Sequence, residues 1–310
     1  MTKTNALVEG AIMIALLAVL TLASIYLPVI SMILIFAIPL PSIIHTIRHG
    51  LTQGIWMAVA SLPVLLIVGQ LQSLIVIPFI IAGVTMGFYY KRKETAYAIA
   101  SGAIAYVISI VISYAAGILF FQFDPISFYN ETMNEAFKAS QSLMGAVGNQ
   151  EQAEAQIKVM KKQMQLLPYL LPTVFAGSAV VSSFITHFIA KPFLKRFASG
   201  TPPLKPFREW KLPKSIIWYY LVAIFLYFFP LERGDFLYSV QINAEIILGT
   251  LLMIQGLSFV FFYCYMKNIP KAVPIIAVIL CFANPFIMYV VKIVGIADIG
   301  FTMREKLKKM

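Results

Sequence analysis

Charge is what this chain has least of. Asp, Glu, Lys and Arg together supply 12% of its 310 residues, about half the share of an ordinary soluble domain. Hydrophobic residues supply 60%. No water-soluble fold of this size hides so much apolar surface, so lipid must cover it. Cysteine is nearly missing too. Cys264 and Cys281 stand within apolar stretches with no CxxC or Cys/His spacing, which argues against a disulfide framework and a zinc site and leaves them as small core residues. Also lacking are a GxxxxGK[ST] phosphate loop, an HExxH pair, a GxSxG elbow and paired acids at helical spacing. No enzyme built on a familiar motif, no cofactor and no metal is therefore expected, and transport powered by ATP would require a separate protein. The first residues carry no long basic region and no small-residue cleavage pattern, so they are expected to form a first helix that starts near Met1.

What the chain has in abundance is apolar length. Runs fall at about 6–26, 28–45, 51–69, 72–90, 95–121, 168–190, 215–231, 241–266 and 272–296, and a helix of roughly 20 residues spans a bilayer core while satisfying its own backbone. The expected fold class is all-α: a polytopic transmembrane helical bundle of about nine spans. Eight spans result if the last run does not cross, because Asn284-Pro285 interrupts it and Lys292 lies within it, the pattern of a kinked or re-entrant segment.

A net charge of +11 is no nucleic-acid footprint here, because the basic residues lie in the breaks between apolar runs, as the positive-inside rule requires. Lys91, Arg92 and Lys93 fill one break; Lys191, Lys195, Arg196, Lys205, Arg208, Lys211 and Lys214 fill another. If both are cytoplasmic, so are the N-terminus and the loops at Arg48 and at Lys267–Lys271, in a bacterial cell membrane. Nine crossings would then leave the basic tail Arg304-Glu305-Lys306-Leu307-Lys308-Lys309 outside, against its charge.

Three divisions follow. Residues 1–198 form a six-helix bundle with an insertion at 122–167, where Met133 and Phe137, then Ile157, Met160, Met164 and Leu167, recur at helical spacing. That pattern predicts two amphipathic helices broken near Gly148-Asn149-Gln150, acting either as a surface connector or as a lid. Residues 199–214 form a stiff linker, since Pro202, Pro203, Pro206 and Pro213 forbid a long helix. Residues 215–310 form a C-terminal bundle of two or three helices with a basic tail.

Ionisable groups in apolar spans are costly, which singles out Glu9, Glu245 and Lys292, with His187 near a helix end. Glu9 suits the positive end of a helix dipole, and Glu245 suits a first turn behind Asn243. For solute binding the nominated groups are Gln241, Glu245 and Gln255; for Gln255 and Asn284 the competing role is an interhelical hydrogen bond. His45, Arg48 and His49 form a weak metal motif and a good interfacial cap. Ala11 and Ala15, like Ala98, Gly102 and Ala105, mark faces of close helix approach, within the bundle or toward another subunit. Lys195, Arg196, Lys205 and Arg208 are nominated to bind anionic lipid or a partner.

Several features carry a family likeness: the apolar pattern of the first six helices, the linker Pro206-Phe207-Arg208-Glu209-Trp210-Lys211-Leu212-Pro213, the pair Gln255-Gly256, and the ending Gly295-Ile296-Ala297-Asp298-Ile299-Gly300-Phe301 followed by Arg304. With these, the chain resembles the YybS-like family of bacterial multi-pass membrane proteins over nearly its whole length. Gly300 and Thr302 depart from the family pattern, which places an aromatic residue and an acid there. The first six helices also resemble the S-component of energy-coupling factor transporters. That likeness implies a small-solute pocket near the outer helix ends and, through Ala11 and Ala15, docking to a transmembrane coupling subunit with ATPases. The rival expectation is a non-transporting scaffold or regulator that docks a cytoplasmic or membrane partner through the basic linker.

Overall fold

A computed structural model describes residues 3–122, 124–146, 157–161, 164–197 and 201–309. Every regular element among them is helical. Helix α1 (Lys3–Tyr26) stops before Pro28, which opens α2 (Pro28–Leu34) where its missing N–H costs nothing. A 3-10 turn at Ile35–Ala37 leads into α3 (Pro39–His49), and Gly50, at φ 93°, supplies the left-handed backbone that lets α4 (Leu51–Gly69) start at once. A second 3-10 stretch, Gln70–Val76, precedes α5 (Ile77–Lys91), and α6 (Thr95–Phe121) follows a short basic turn.

The insertion begins with α7 (Pro125–Ala146). Asp124 caps it: Oδ1 accepts from the Ile126 N–H at 2.9 Å and Oδ2 from the Ser127 hydroxyl at 2.7 Å. Those bonds, the Ser127 hydroxyl foremost, hold its carboxyl below the usual carboxylate range. Met133 is half-buried and Phe137 is buried, on the expected stripe, and residues 157–161 are helical with Ile157 buried. The break expected near Gly148 lies outside the described residues. Helix α8 (Leu167–Phe197) follows.

The C-terminal part holds α9 (Ser215–Phe225), α10 (Phe236–Met266), α11 (Ala272–Ala283), α12 (Pro285–Phe301) and the short α13 (Met303–Lys309). Among the described residues, seven helices are long and apolar enough to cross a membrane, or eight if the bent pair α11 and α12 counts as one span. The helix in the run 215–231 is shorter than expected: Ser215–Phe228 is among the shorter apolar helices. Pro230 and the charged residues Glu232, Arg233 and Asp235 keep it from lengthening. Between α11 and α12 the chain bends by 120°. Pro285 cannot donate to the turn before it, while the extended Asn284 caps α12 by accepting from the Phe286 N–H at 2.8 Å.

The chain divides into two compact units, one of residues 1–165 and 174–204 and one of 166–173 and 205–310. In the first, α3 is almost wholly buried, and Gly83 and Gly87 on α5 are why. A Cβ at Gly83 would lie 2.7 Å from the Pro39 carbonyl oxygen, and one at Gly87 2.8 Å from that of Ile43. Only glycine lets the two backbones touch. Around this crossing Leu40, Ile43, Met86, Tyr90 and Ala190 form a core, into which Ala98 of α6 also packs. Gly102 faces Met86 and Ser183, and Ala105 is buried, so this small-residue face is internal packing. Ala11 and Ala15 differ. Both are exposed on a face of α1 with Leu7, Val8, Ile12 and Leu16.

Candidate functional site: a buried arginine latch

In the second unit the proline-rich linker meets the end of α10 and the C-terminal tail. Proline denies the linker a helix, so its carbonyls and N–H groups need other partners. Arg304 and α10 supply them. The Arg304 Nε donates to Asp298 Oδ2 at 2.8 Å, one Nη to the Arg208 carbonyl at 2.8 Å and the other to Ser258 Oγ at 3.0 Å. Ser258 Oγ lies 2.7 Å from the Phe207 carbonyl and 3.0 Å from that of Trp210, and its hydroxyl donates to this pair. The Gln255 amide donates to Asp298 Oδ2 at 2.5 Å, and its oxygen accepts from the Leu212 N–H at 2.9 Å. Asp298, Gln255 and Ser258 are at most 1% exposed and Arg304 is 7% exposed. A guanidinium this deep is stable only because its charge is paired and each of its three nitrogens donates a hydrogen bond.

Two glycines make the latch reachable. A Cβ at Gly256 would stand 2.0 Å from the Val291 carbonyl oxygen, and one at Gly295 2.1 Å from that of Leu252. Helices α10 and α12 thus cross in backbone contact, which brings Asp298 under Gln255. Arg208 caps the arrangement, its guanidinium lying 3.9 Å over the Tyr265 ring. Lys211 pairs with Glu305 at 3.0 Å. The tail therefore lies at the linker end of this unit: α11 and α12 form a broken pair that turns back.

Three of the features that carry the family likeness, the linker, Gln255-Gly256 and the ending with Asp298 and Arg304, meet in this network, joined there by Ser258. Residues 15–299 match the family described as predicted membrane protein (DUF2232). The chain belongs to that family. It is 48% identical over 313 residues, covering 99% of this chain and 100% of the relative, to the uncharacterized protein YybS of Bacillus subtilis (strain 168). No solved structure matches, and the likeness of the first six helices to S-components is not confirmed.

The residues nominated for solute binding do not form one pocket. Gln255 is committed to the latch. Gln241, buried on the same helix, is fourteen positions away, about 21 Å along the axis. Glu245, half-buried, accepts a hydrogen bond from Tyr227 and lies within electrostatic reach of Tyr220. Lys292 approaches the same stretch of α10, its Nζ 3.1 Å from the position of a Cβ on Gly249. Asn243 accepts from the Thr173 N–H at 2.9 Å and hydroxyl at 2.6 Å and donates to the Tyr169 and Ser239 carbonyls. It is an interhelical tie more than a cap.

In the first unit Glu9 is held by Arg48 Nη1 and His49 Nε2, each at 2.5 Å, and Arg48 also stacks 4.6 Å over the Phe197 ring. The His45 and His49 rings are 4.8 Å apart. Sequence alone nominated Glu9 apart from the cluster of His45, Arg48 and His49; the structure joins Glu9 to that cluster. No group of three metal-ligating side chains occurs among the described residues. Tyr90 bonds His187 Nδ1 at 2.8 Å, and Tyr106 bonds Thr186 at 2.9 Å, which fixes α8 in its core. Lys195, Arg196 and Lys205 are exposed, and Arg208 is half-buried.

Asp298, Ser258 and Arg304 were not singled out by sequence reasoning. The last helix was expected to end near residue 296, whereas α12 runs to Phe301 and places Asp298 inside it. An acid six residues before an arginine, in the ending that carries the family likeness, was the available signal.

Proposed function

We propose that this membrane protein is a docking protein of the bacterial cytoplasmic membrane, and that its linker, the α10–α11 turn and the tail form a rigid basic surface on the cytoplasmic side, where the N-terminus also lies. The partner is an acidic surface of another protein. The latch supports this reading. Holding lipid headgroups needs only loose basic charge, about 1 kcal/mol per residue, whereas fixing linker carbonyls with a buried guanidinium preorganises shape, which favours a specific partner.

The test is in-cell photo-crosslinking from the linker. Lys205→Gln, Lys214→Gln and Lys267→Gln together remove charge from exposed positions; Asp298→Asn loosens the latch and leaves surface charge in place. Loss of one defined cross-linked protein in both variants is expected. Crosslinks to lipid only, or a protein adduct indifferent to both variants, would overturn the reading.

A second reading, binding of a small solute, draws on Glu245 amid Tyr227, Tyr220 and Lys292. Under it the insertion serves as a lid, and Ala11 and Ala15 face a coupling subunit. Glu245→Gln should then abolish uptake; unchanged uptake removes the acid from that role.

A further inference from the structure

A groove of about 1170 Å³ runs along the outside of the first unit between α5 and α6. Its depth comes from α6, where Ser101, Ala105, Ser109, Ser113 and Gly117 recur every fourth residue along the wall. Small side chains on one helical row leave a trough about 24 Å long. That is most of the roughly 30 Å hydrocarbon thickness of a bilayer. Exposed Ile104, Ile108 and Ile112 stand on its rim, so the trough opens where acyl chains would lie.

One end of the trough is cationic. Phe88 and Leu51 both line it there. The Arg92 guanidinium stacks 4.1 Å over the Phe88 ring, and the Lys91 ammonium lies 3.4 Å from the position of a Cβ on Gly50, next to Leu51. Both cations are exposed, and the same turn carries one further charge of each sign, Lys93 and Glu94. Tyr89, another lining residue, stacks with the exposed Tyr97 at 6.1 Å. Tyrosines and basic residues together mark the headgroup level.

An apolar trough of acyl length with two cations at its headgroup end complements the charge pattern of an anionic phospholipid. We infer that this groove binds one, with its acyl chain along α6 and its phosphate between Lys91 and Arg92. A zwitterionic lipid would meet the same walls but would bring its own cation to Lys91 and Arg92. The inference is independent of the docking role proposed for the second unit.

Native mass spectrometry of the full chain, titrated with phosphatidylglycerol or phosphatidylcholine of identical acyl chains, tests it. The wild type should retain one phosphatidylglycerol in preference to phosphatidylcholine. Lys91→Gln with Arg92→Gln should lower that preference roughly thirtyfold, the ratio for two cations each contributing about 1 kcal/mol. Ser113→Phe, at an exposed position within the trough, should displace either lipid while leaving the protein monodisperse. Equal retention of the two lipids by the wild type would overturn the assignment. So would a lipid count unchanged by both variants, or a dimer that Ser113→Phe dissociates while bound lipid stays, which would give the groove to a second copy.

Discussion

Arg304 answers to three acceptors at once, and a planar fork is the only side chain that reaches all three. Arg304→Ala should destabilise the C-terminal unit by about 3–5 kcal/mol, since it strands the buried Asp298 carboxylate, and Arg304→Lys should recover little of that, because one ammonium cannot also serve the Arg208 carbonyl and Ser258. Thermal unfolding in detergent measures this; a lysine variant as stable as the wild type would mean that charge alone suffices. The glycines of α10 give a paired test. Gly256→Ala drives a methyl into the Val291 backbone and should cost about 1–3 kcal/mol or more, whereas Gly249→Ala meets the flexible end of Lys292, with Tyr220 at ordinary contact distance, and should be tolerated. Equal effects would contradict the helix crossing described above. Gln255 was legible in the sequence as a buried interhelical amide. Its partners were not, because Asp298 and the Leu212 N–H are 43 residues away on either side, and no local pattern encodes such pairing.

At the scale of elements, apolar runs and prolines predicted nearly every helix, and the Asn284-Pro285 break was legible because proline ends a helix wherever it stands. The angle of that break was not legible. It depends on α12 packing back against α10 through Gly295 and Gly256, a tertiary fact. The helix in the run 215–231 came out shorter than expected because hydrophobicity continues past the point where Pro230 stops the helix. Asp124 makes a prediction of its own. Its carboxyl titrates below the ordinary range, so the first turn of α7 is supported above the unfolded carboxylate pKa and loses that support as pH falls through the lowered folded value. Asp124→Ala should fray the turn at neutral pH as acid does in the wild type, seen as faster proteolysis near Pro125. Identical cleavage of variant and wild type at neutral pH would remove the capping role.

For the molecule as a whole, charge placement in the sequence left one conflict: nine crossings put a basic tail opposite the other basic loops. The structure removes it in relative terms, since α11 and α12 turn back and the tail meets the linker through Arg304–Arg208 and Lys211–Glu305. The docking role rests on that meeting. It is tested most directly by replacing Lys211 and Glu305 with cysteine in a chain whose buried Cys264 and Cys281 are changed to alanine, then treating intact membranes with a thiol crosslinker about 10 Å long, a span that the two long side chains bridge and a disulfide does not, and labelling from each side. The account predicts a crosslink between the two positions, lost when Asp298 becomes Asn, and labelling of both single cysteines from one side. Labelling from opposite sides with no crosslink would mean that the last pair of helices crosses the membrane and that the basic surface does not exist.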